Sequence, residues 1–268
     1  MIAACSSARM ESHWQSQPIS VDGNGSDWGD LALDYNEEMD IVYGAANNSE
    51  NLLLTLRFRD ARLAQKATHR GLVFWVNGDG KKKKSLGIRY VDQNAIPMRF
   101  EEMRERMGDL PPNDNWRDNR DERANRQLPM NGKFYRISGD TTEISGNGLN
   151  GFAGAVAFND GVYCYEIKFP LSAIGEKAQP GQKIKIGLEV EAVSKEIREE
   201  MKERMKEMRG SRPGGGMGGG PPGGGMGGRP GGGRMGGRPG GMAGENPMDE
   251  LDAQQLWVTL QLATENGG

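Results

Sequence analysis

Apolar and polar side chains alternate with a period of two in several short stretches of the chain. From Val162 to Pro170, Tyr163, Tyr165, Ile167 and Phe169 share one side while Cys164, Glu166 and Lys168 take the other. That is the pattern of a strand covering a core with one face. Pro170 ends it, Pro180-Gly181 turns the chain, and a second alternation sets Ile184, Ile186, Leu188 and Val190 inward against Lys185, Glu189 and Glu191. Met39 to Asn47 and Leu52 to Arg59 flank the polar run from Asn47 to Asn51, which predicts a hairpin. A helical turn near Ala61 to Ala67 precedes Gly71 to Asn77, a run apolar on both faces and hence a central strand. Asn77-Gly78-Asp79-Gly80 then turns into Lys81 to Lys84 and a strand from Ser85 to Val91, and a last strand carries Leu256, Val258, Leu260 and Leu262 inward. No hairpin buries its apolar face alone. The strands therefore predict an all-β fold, an antiparallel β-sandwich with two helical or disordered insertions.

The sandwich is predicted over residues 14–263, behind a tether at 1–13, with insertions at 98–131 and 194–250. The first insertion holds Phe100, Met103 and Met107 at helical spacing, followed by a polar loop whose one large apolar side chain is Trp116. The second opens with Ser194 as a helix N-cap and an Ile197, Met201, Met205, Met208 stripe. A nine-residue repeat follows at Gly214, Gly223 and Gly232, placing Met217, Met226 and Met235 in step. Burial within such repeats does not offset the entropy of ordering glycine, so a flexible loop is expected.

Composition changes this picture in three ways. Of 268 residues, 35% are hydrophobic, enough for one core, but nearly half of the 41 glycines lie between Gly210 and Gly244 and add nothing to it. The net charge of −3 lacks the basic excess of nucleic-acid binders. Two cysteines make no disulfide framework, and Cys164 has no neighbour that would hold a thiolate. The other, in Ile2-Ala3-Ala4-Cys5-Ser6, resembles the lipobox of bacterial lipoproteins. Lipidation of Cys5 implies a membrane anchor and a place in the bacterial cell envelope, periplasmic or on the outer membrane.

Near the start, Asp22, Asn24 and Ser26 fall at the first, third and fifth positions of a calcium loop, but Asp27 stands where glycine is needed and Leu33 where a bidentate glutamate is needed. The turn is no EF-hand. An Asx-rich turn and an irregular calcium site at Asp22 and Asp27 are the two readings. Trp28 is expected to plug one end of the sandwich.

The order of four motifs carries a resemblance: the opening I-x-V-D-G-x-x-x-D-W from Ile19, the strand through Phe74-Trp75-Val76, the run from Tyr165 to Ile174, and the closing Leu256-Trp257-Val258-Thr259-Leu260. Together they resemble family 9 carbohydrate-binding modules. That resemblance implies a jelly-roll-like sandwich that binds sugars without cleaving them, grips them with tryptophan, and often carries structural calcium.

The residues themselves allow such a role. Trp257, Thr259 and Gln261 face outward on the last strand, and Trp75 and Asn77 lie opposite the inward side chains of theirs. Sugars present flat C–H faces ringed by hydroxyls, which an aromatic plate with polar neighbours fits. An indole filling a core or an edge is the competing reading, and Trp116 is a candidate to close over a ligand. A catalytic centre lacks its parts: His13 and His69 are the two histidines, and Glu166, Glu189 and Glu191, though candidates for one solvent side, alternate with Lys168 and Lys185. The expected function is non-catalytic binding of a polysaccharide or oligosaccharide by an envelope-anchored module. The alternative is an envelope scaffold whose insertions meet a protein partner.

Overall fold

The computed structural model describes residues 8–29, 31–59, 61–92, 132–145, 148–159, 161–196, 198–199, 202–203, 206 and 252–265. Among the described residues, thirteen strands run in chain order as β1 (Ala8–Glu11), β2 (His13–Trp14), β3 (Asp34–Asn36), β4 (Ile41–Asn47), β5 (Asn51–Phe58), β6 (Leu72–Asn77), β7 (Leu86–Asp92), β8 (Gly132–Ser138), β9 (Asp140–Ile144), β10 (Ala153–Asn159), β11 (Val162–Pro170), β12 (Lys183–Val190) and β13 (Gln254–Gln261). Two α-helices among the described residues, α1 (Ala61–Arg70) and α2 (Leu171–Ile174), lie between the strands, with a 3-10 turn at Ser26–Trp28. The strands form two sheets stacked as a sandwich. One has seven strands in the order β1-β13-β12-β6-β7-β8-β9, the other six, with β10-β11-β5-β4-β2 in line and β3 beside β4.

The alternations place the core between the sheets. Tyr165 is fully buried there, edge-on to Phe58 at 5.7 Å and to Tyr90 at 5.4 Å, with Phe74 at 6.5 Å. Its phenol meets the Thr68 hydroxyl at 3.2 Å, and Thr68 in turn donates to the Ala64 carbonyl inside α1. Burial holds the Tyr165 hydroxyl far above the usual tyrosine range. Helix α1, three residues longer than its apolar pattern suggests, carries the chain from β5 in one sheet to β6 in the other and buries Leu63, Ala64 and Ala67.

Three expectations are corrected. Residues 8–13 are no tether: β1 pairs in parallel with β13 and β2 in parallel with β4, so this stretch passes from one sheet to the other and buries Met10 in the main core. At the crossing, the Ser12 hydroxyl and the Ala263 N–H both donate to the Asn47 Oδ1, and Asn47 has no exposed surface. The sandwich therefore includes two short parallel pairs among its antiparallel ones. Trp28, second, plugs no end of the sandwich; it packs with Ala46 and Leu53, flanked by Ile19, Val21, Leu31 and Leu33, on the outer face of the six-stranded sheet. Cys164 and Glu166, third, point to that outer face yet are buried, because the segment around Trp28 covers them.

Glu166 organises this cover. Its Oε2 accepts the Asp22 and Gly23 amides at 2.9 and 2.7 Å, and its Oε1 accepts the Gly25 amide at 3.1 Å and the Trp28 indole N–H at 2.9 Å. Burial pushes the carboxyl above the usual glutamate range, with the amides and the indole opposing. Gly23 has φ of +80°, and a Cβ there would sit 2.5 Å from the Ala157 nitrogen, so only glycine lets the turn lie against β10. The Asp22 carboxylate accepts the Asn24 amide at 2.7 Å, and the Asp27 carboxylate accepts the Ser20 amide at 2.8 Å. Among the described residues no three Asp, Glu, His or Cys side chains converge on one point. The turn is thus closed by its own amides and by Glu166.

Residues 192–252 form a compact unit of their own. Its first turn is helical, with the Arg198 N–H donating to the Ser194 carbonyl at 3.0 Å, and the Arg198 guanidinium pairs with Asp252 at 2.6 Å. Cys5, the charged insertion with Trp116, the methionine stripe and the glycine repeats lie outside the described residues.

Candidate functional site

Cross-strand register builds the candidate site on the outer face of the seven-stranded sheet. Trp257 on β13 stands opposite Gly187 on β12, Gly187 opposite Trp75 on β6, and Trp75 opposite Gly87 on β7. The result is one row in which indole and glycine take turns. A Cβ on Gly187 would meet three carbons of the Trp257 six-membered ring at 2.8, 2.9 and 2.9 Å, and a Cβ on Gly87 would meet Trp75 ring carbons at 2.7 and 2.9 Å. Three near-equal distances mean that the Trp257 ring presents its face to the glycine. An outward glycine in mid-strand gives an aromatic side chain a floor to lie on.

Polar groups flank the row. On one side the register runs Gln255, Glu189, Val73, and on the other Thr259, Lys185, Asn77. Glu189, 8% exposed, accepts the Trp75 indole N–H at 2.7 Å on Oε2, and the Lys84 ammonium at 2.7 Å and the Gln255 amide at 3.0 Å on Oε1. The Lys84 nitrogen also stands 5.9 Å from the Trp75 ring centre, within cation–π range. Lys185, 5% exposed, donates to the Thr259 hydroxyl at 2.6 Å. Burial, with Lys82 nearby, holds its ammonium below the usual lysine range.

The five residues expected to bind a ligand do share this face, but they do different work. Trp257 and Thr259 are half-buried, each keeping surface toward solvent. Trp75 is only 9% exposed and its N–H is engaged by Glu189, so it supports the face rather than presenting a plate. Asn77 is directed to the lysine loop: its Oδ1 accepts the Asp79 and Lys81 amides at 3.1 Å each, and its Nδ2 donates to Ser85 at 3.0 Å. Gln261 donates to the Gly181 carbonyl at 2.6 Å at the end of β13. Asp22 and Asp27 lie with Glu166 on the opposite outer face, that of the six-stranded sheet. Glu166 is thereby separated from Glu189 and Glu191, so the three carboxylates do not share a solvent side. Gly187, Gly87, Lys84, Lys185, Glu189 and Gln255 were not among the residues expected at the site. The signal for Gly187 was present in K-I-K-I-G-L-E-V, where glycine interrupts the outward polar series.

No protein-family model and no curated protein matches the chain. It is similar to a solved family 9 carbohydrate-binding module from Caldicellulosiruptor kristjanssonii in complex with glucose, at 10% identity and a TM-score of 0.35, over 70% of this chain and 80% of that one. A module of the same family and organism in complex with cellotriose matches at 9% identity and a TM-score of 0.34, over 70% of this chain and 78% of that one. The two-sheet sandwich described above follows from the strand pairing itself.

Proposed function

We propose that this chain binds carbohydrate, without cleaving it, on the outer face of its seven-stranded sheet. One observation carries the reading: the Trp257 ring lies face-on over Gly187 while part of the indole stays open to solvent. One side of the ring is braced by backbone, which leaves the other as a plate for the C–H face of a sugar. Thr259 and Gln255, on the same strand and face, supply hydroxyl and amide groups for the sugar's own hydroxyls. Glu189 and Trp75 fix the floor beneath them.

Isothermal titration with glucose and with oligosaccharides tests it. Wild type gives a saturable heat. Gly187→Val, which fits a strand but puts methyl groups where the Trp257 ring lies, removes that heat while the thermal transition stays within a few degrees. Silence of the wild type toward every sugar contradicts the proposal, and in that case a protein ligand recovered by the insertions favours the scaffold.

Attachment to the bacterial envelope through Cys5 belongs to the same proposal. β1 begins at Ala8, so two residues, Ser6 and Ser7, and a span of at most about 11 Å would separate an acylated Cys5 from the sheet. Tritiated palmitate should label the wild type in bacterial cells and not Cys5→Ala; equal labelling of both contradicts the anchor.

A further inference from the structure

The charges around the candidate plate are unbalanced in one direction. Three carboxylates near this face already have a cation: Glu189 holds Lys84 at 2.7 Å, Glu191 holds Arg89 at 2.5 Å, and Asp79 holds Lys177 at 3.1 Å, while Glu11 stands at the sheet edge opposite Gln261. Among the described residues no carboxylate comes within ion-pair distance of Lys185, nor of Lys81, Lys82, Lys83 or Lys183. The surplus is local, because Lys185 sits opposite both Thr259 and Asn77, and Asn77 folds the loop that carries the other lysines.

Lys185 is the informative member. Exposed lysines on a loop are ordinary surface chemistry, whereas this one is 5% exposed and, among the described residues, has one neutral hydroxyl as its hydrogen-bond partner. Placing an ammonium out of water beside other cations costs free energy unless an anion compensates it. No strand requirement forces the choice, since threonine or glutamine at this outward position would also pair with Thr259. A cation kept at a cost beside an aromatic plate is what recognition of an anionic ligand requires.

We infer that the ligand is an acidic sugar, a uronic acid residue whose ring stacks on Trp257 and whose carboxylate meets Lys185. This inference rests on the carbohydrate reading above. The register fits it: Trp257 pairs with Gly187, two residues along β12 from Lys185, so the two side chains are diagonal neighbours. Such neighbours stand about 7–8 Å apart at Cα and lean closer through long side chains. A carboxylate carried on a pyranose ring, together with the hydrogen bond that joins it to an ammonium, falls within that spacing. The lysines of the 81–84 loop add a field that attracts an acidic chain, and Lys84, tied to Glu189, marks its inner limit.

Calorimetry on the full chain with three oligomers of matched length decides it: oligogalacturonate, its methyl ester, and neutral galacto-oligosaccharide. The free acid should bind about tenfold more tightly than either neutral probe, the size of one charge-assisted contact. That preference should fall below about threefold in Lys185→Gln, and also in the exposed-loop variant Lys82→Ser/Lys83→Ser, which leaves the sheet untouched. Equal affinity of wild type for all three probes overturns the acidic-sugar inference and leaves carbohydrate binding standing. Absence of binding by all three overturns both. A preference for the acid that survives in both lysine variants also overturns the inference, as does one that dextran sulfate reproduces and Trp257→Ala leaves unchanged.

Discussion

Glu166→Ala should cost about 3–5 kcal/mol of folding stability, among the largest effects of any single substitution in this chain. Among the described residues the carboxylate is the sole hydrogen-bond acceptor for four N–H groups, and three of these, on Gly23, Gly25 and Trp28, are buried. An unsatisfied buried donor costs about 1–3 kcal/mol, while the Asp22 amide lies near enough to the surface to find water. Glu166→Gln is a milder variant with a built-in check. Oε2 serves Asp22 and Gly23 and Oε1 serves Gly25 and Trp28, so whichever way the amide is turned, two donors face an NH₂. About half the loss is expected. Urea denaturation followed by tryptophan fluorescence measures both, and a Glu166→Ala midpoint corresponding to less than about 1 kcal/mol would contradict the latch.

The second large effect separates two tryptophans that share a face. Trp75→Phe keeps much of the ring but removes a hydrogen bond to a charged, nearly buried acceptor, so a loss of about 2–3 kcal/mol in stability is expected. Sugar affinity should stay within about threefold, since Trp75 offers little surface to a ligand. Trp257→Ala should do the reverse. Its indole is half-buried, so stability changes by about 1 kcal/mol, whereas loss of an aromatic anchor costs about 2 kcal/mol or more of binding, roughly 30-fold in affinity. Denaturation and calorimetry on the same two proteins give a crossed pattern. If Trp75→Phe loses binding and Trp257→Ala does not, the assignment of plate and support is reversed.

Much of the sandwich was legible because alternation with period two survives into the structure in β5, β11, β12 and β13, and because a run apolar on both faces marked β6 as a central strand. Strands at the far edges were not. β8 to β10 lack a clean alternation, and Asp140–Ile144 among them is mostly exposed, so no apolar face announces it. β1 is four residues long and gains its meaning from β13, almost the whole chain away in sequence. A pairing that distant leaves no local pattern. The same limit governed the outer faces. Cys164 and Glu166 alternate correctly to the outside, but their burial depends on a turn some 140 residues earlier that folds over them.

The site was legible in part for the same reason. Periodicity alone puts Trp257, Thr259 and Gln261 on the outside of the last strand and Trp75 and Asn77 on the outside of β6. It could not say that these two strands are separated by β12 alone, nor that Glu189 reaches across to hold the Trp75 indole. Which tryptophan is plate and which is support is decided by cross-strand neighbours. Alternation within one strand carries no information about them.

The central claim is that a sugar rests on the Trp257 indole, and the indole N–H resonances report on it directly. The chain has five tryptophans, so a nitrogen–proton correlation spectrum of the labelled protein carries five such signals, assignable by single substitution. On titration with the tightest-binding oligosaccharide, the Trp257 signal should shift progressively to saturation, while the Trp28 signal, held by Glu166 on the other outer face, stays in place. A Trp257 signal that does not move while sugar demonstrably binds would contradict the account.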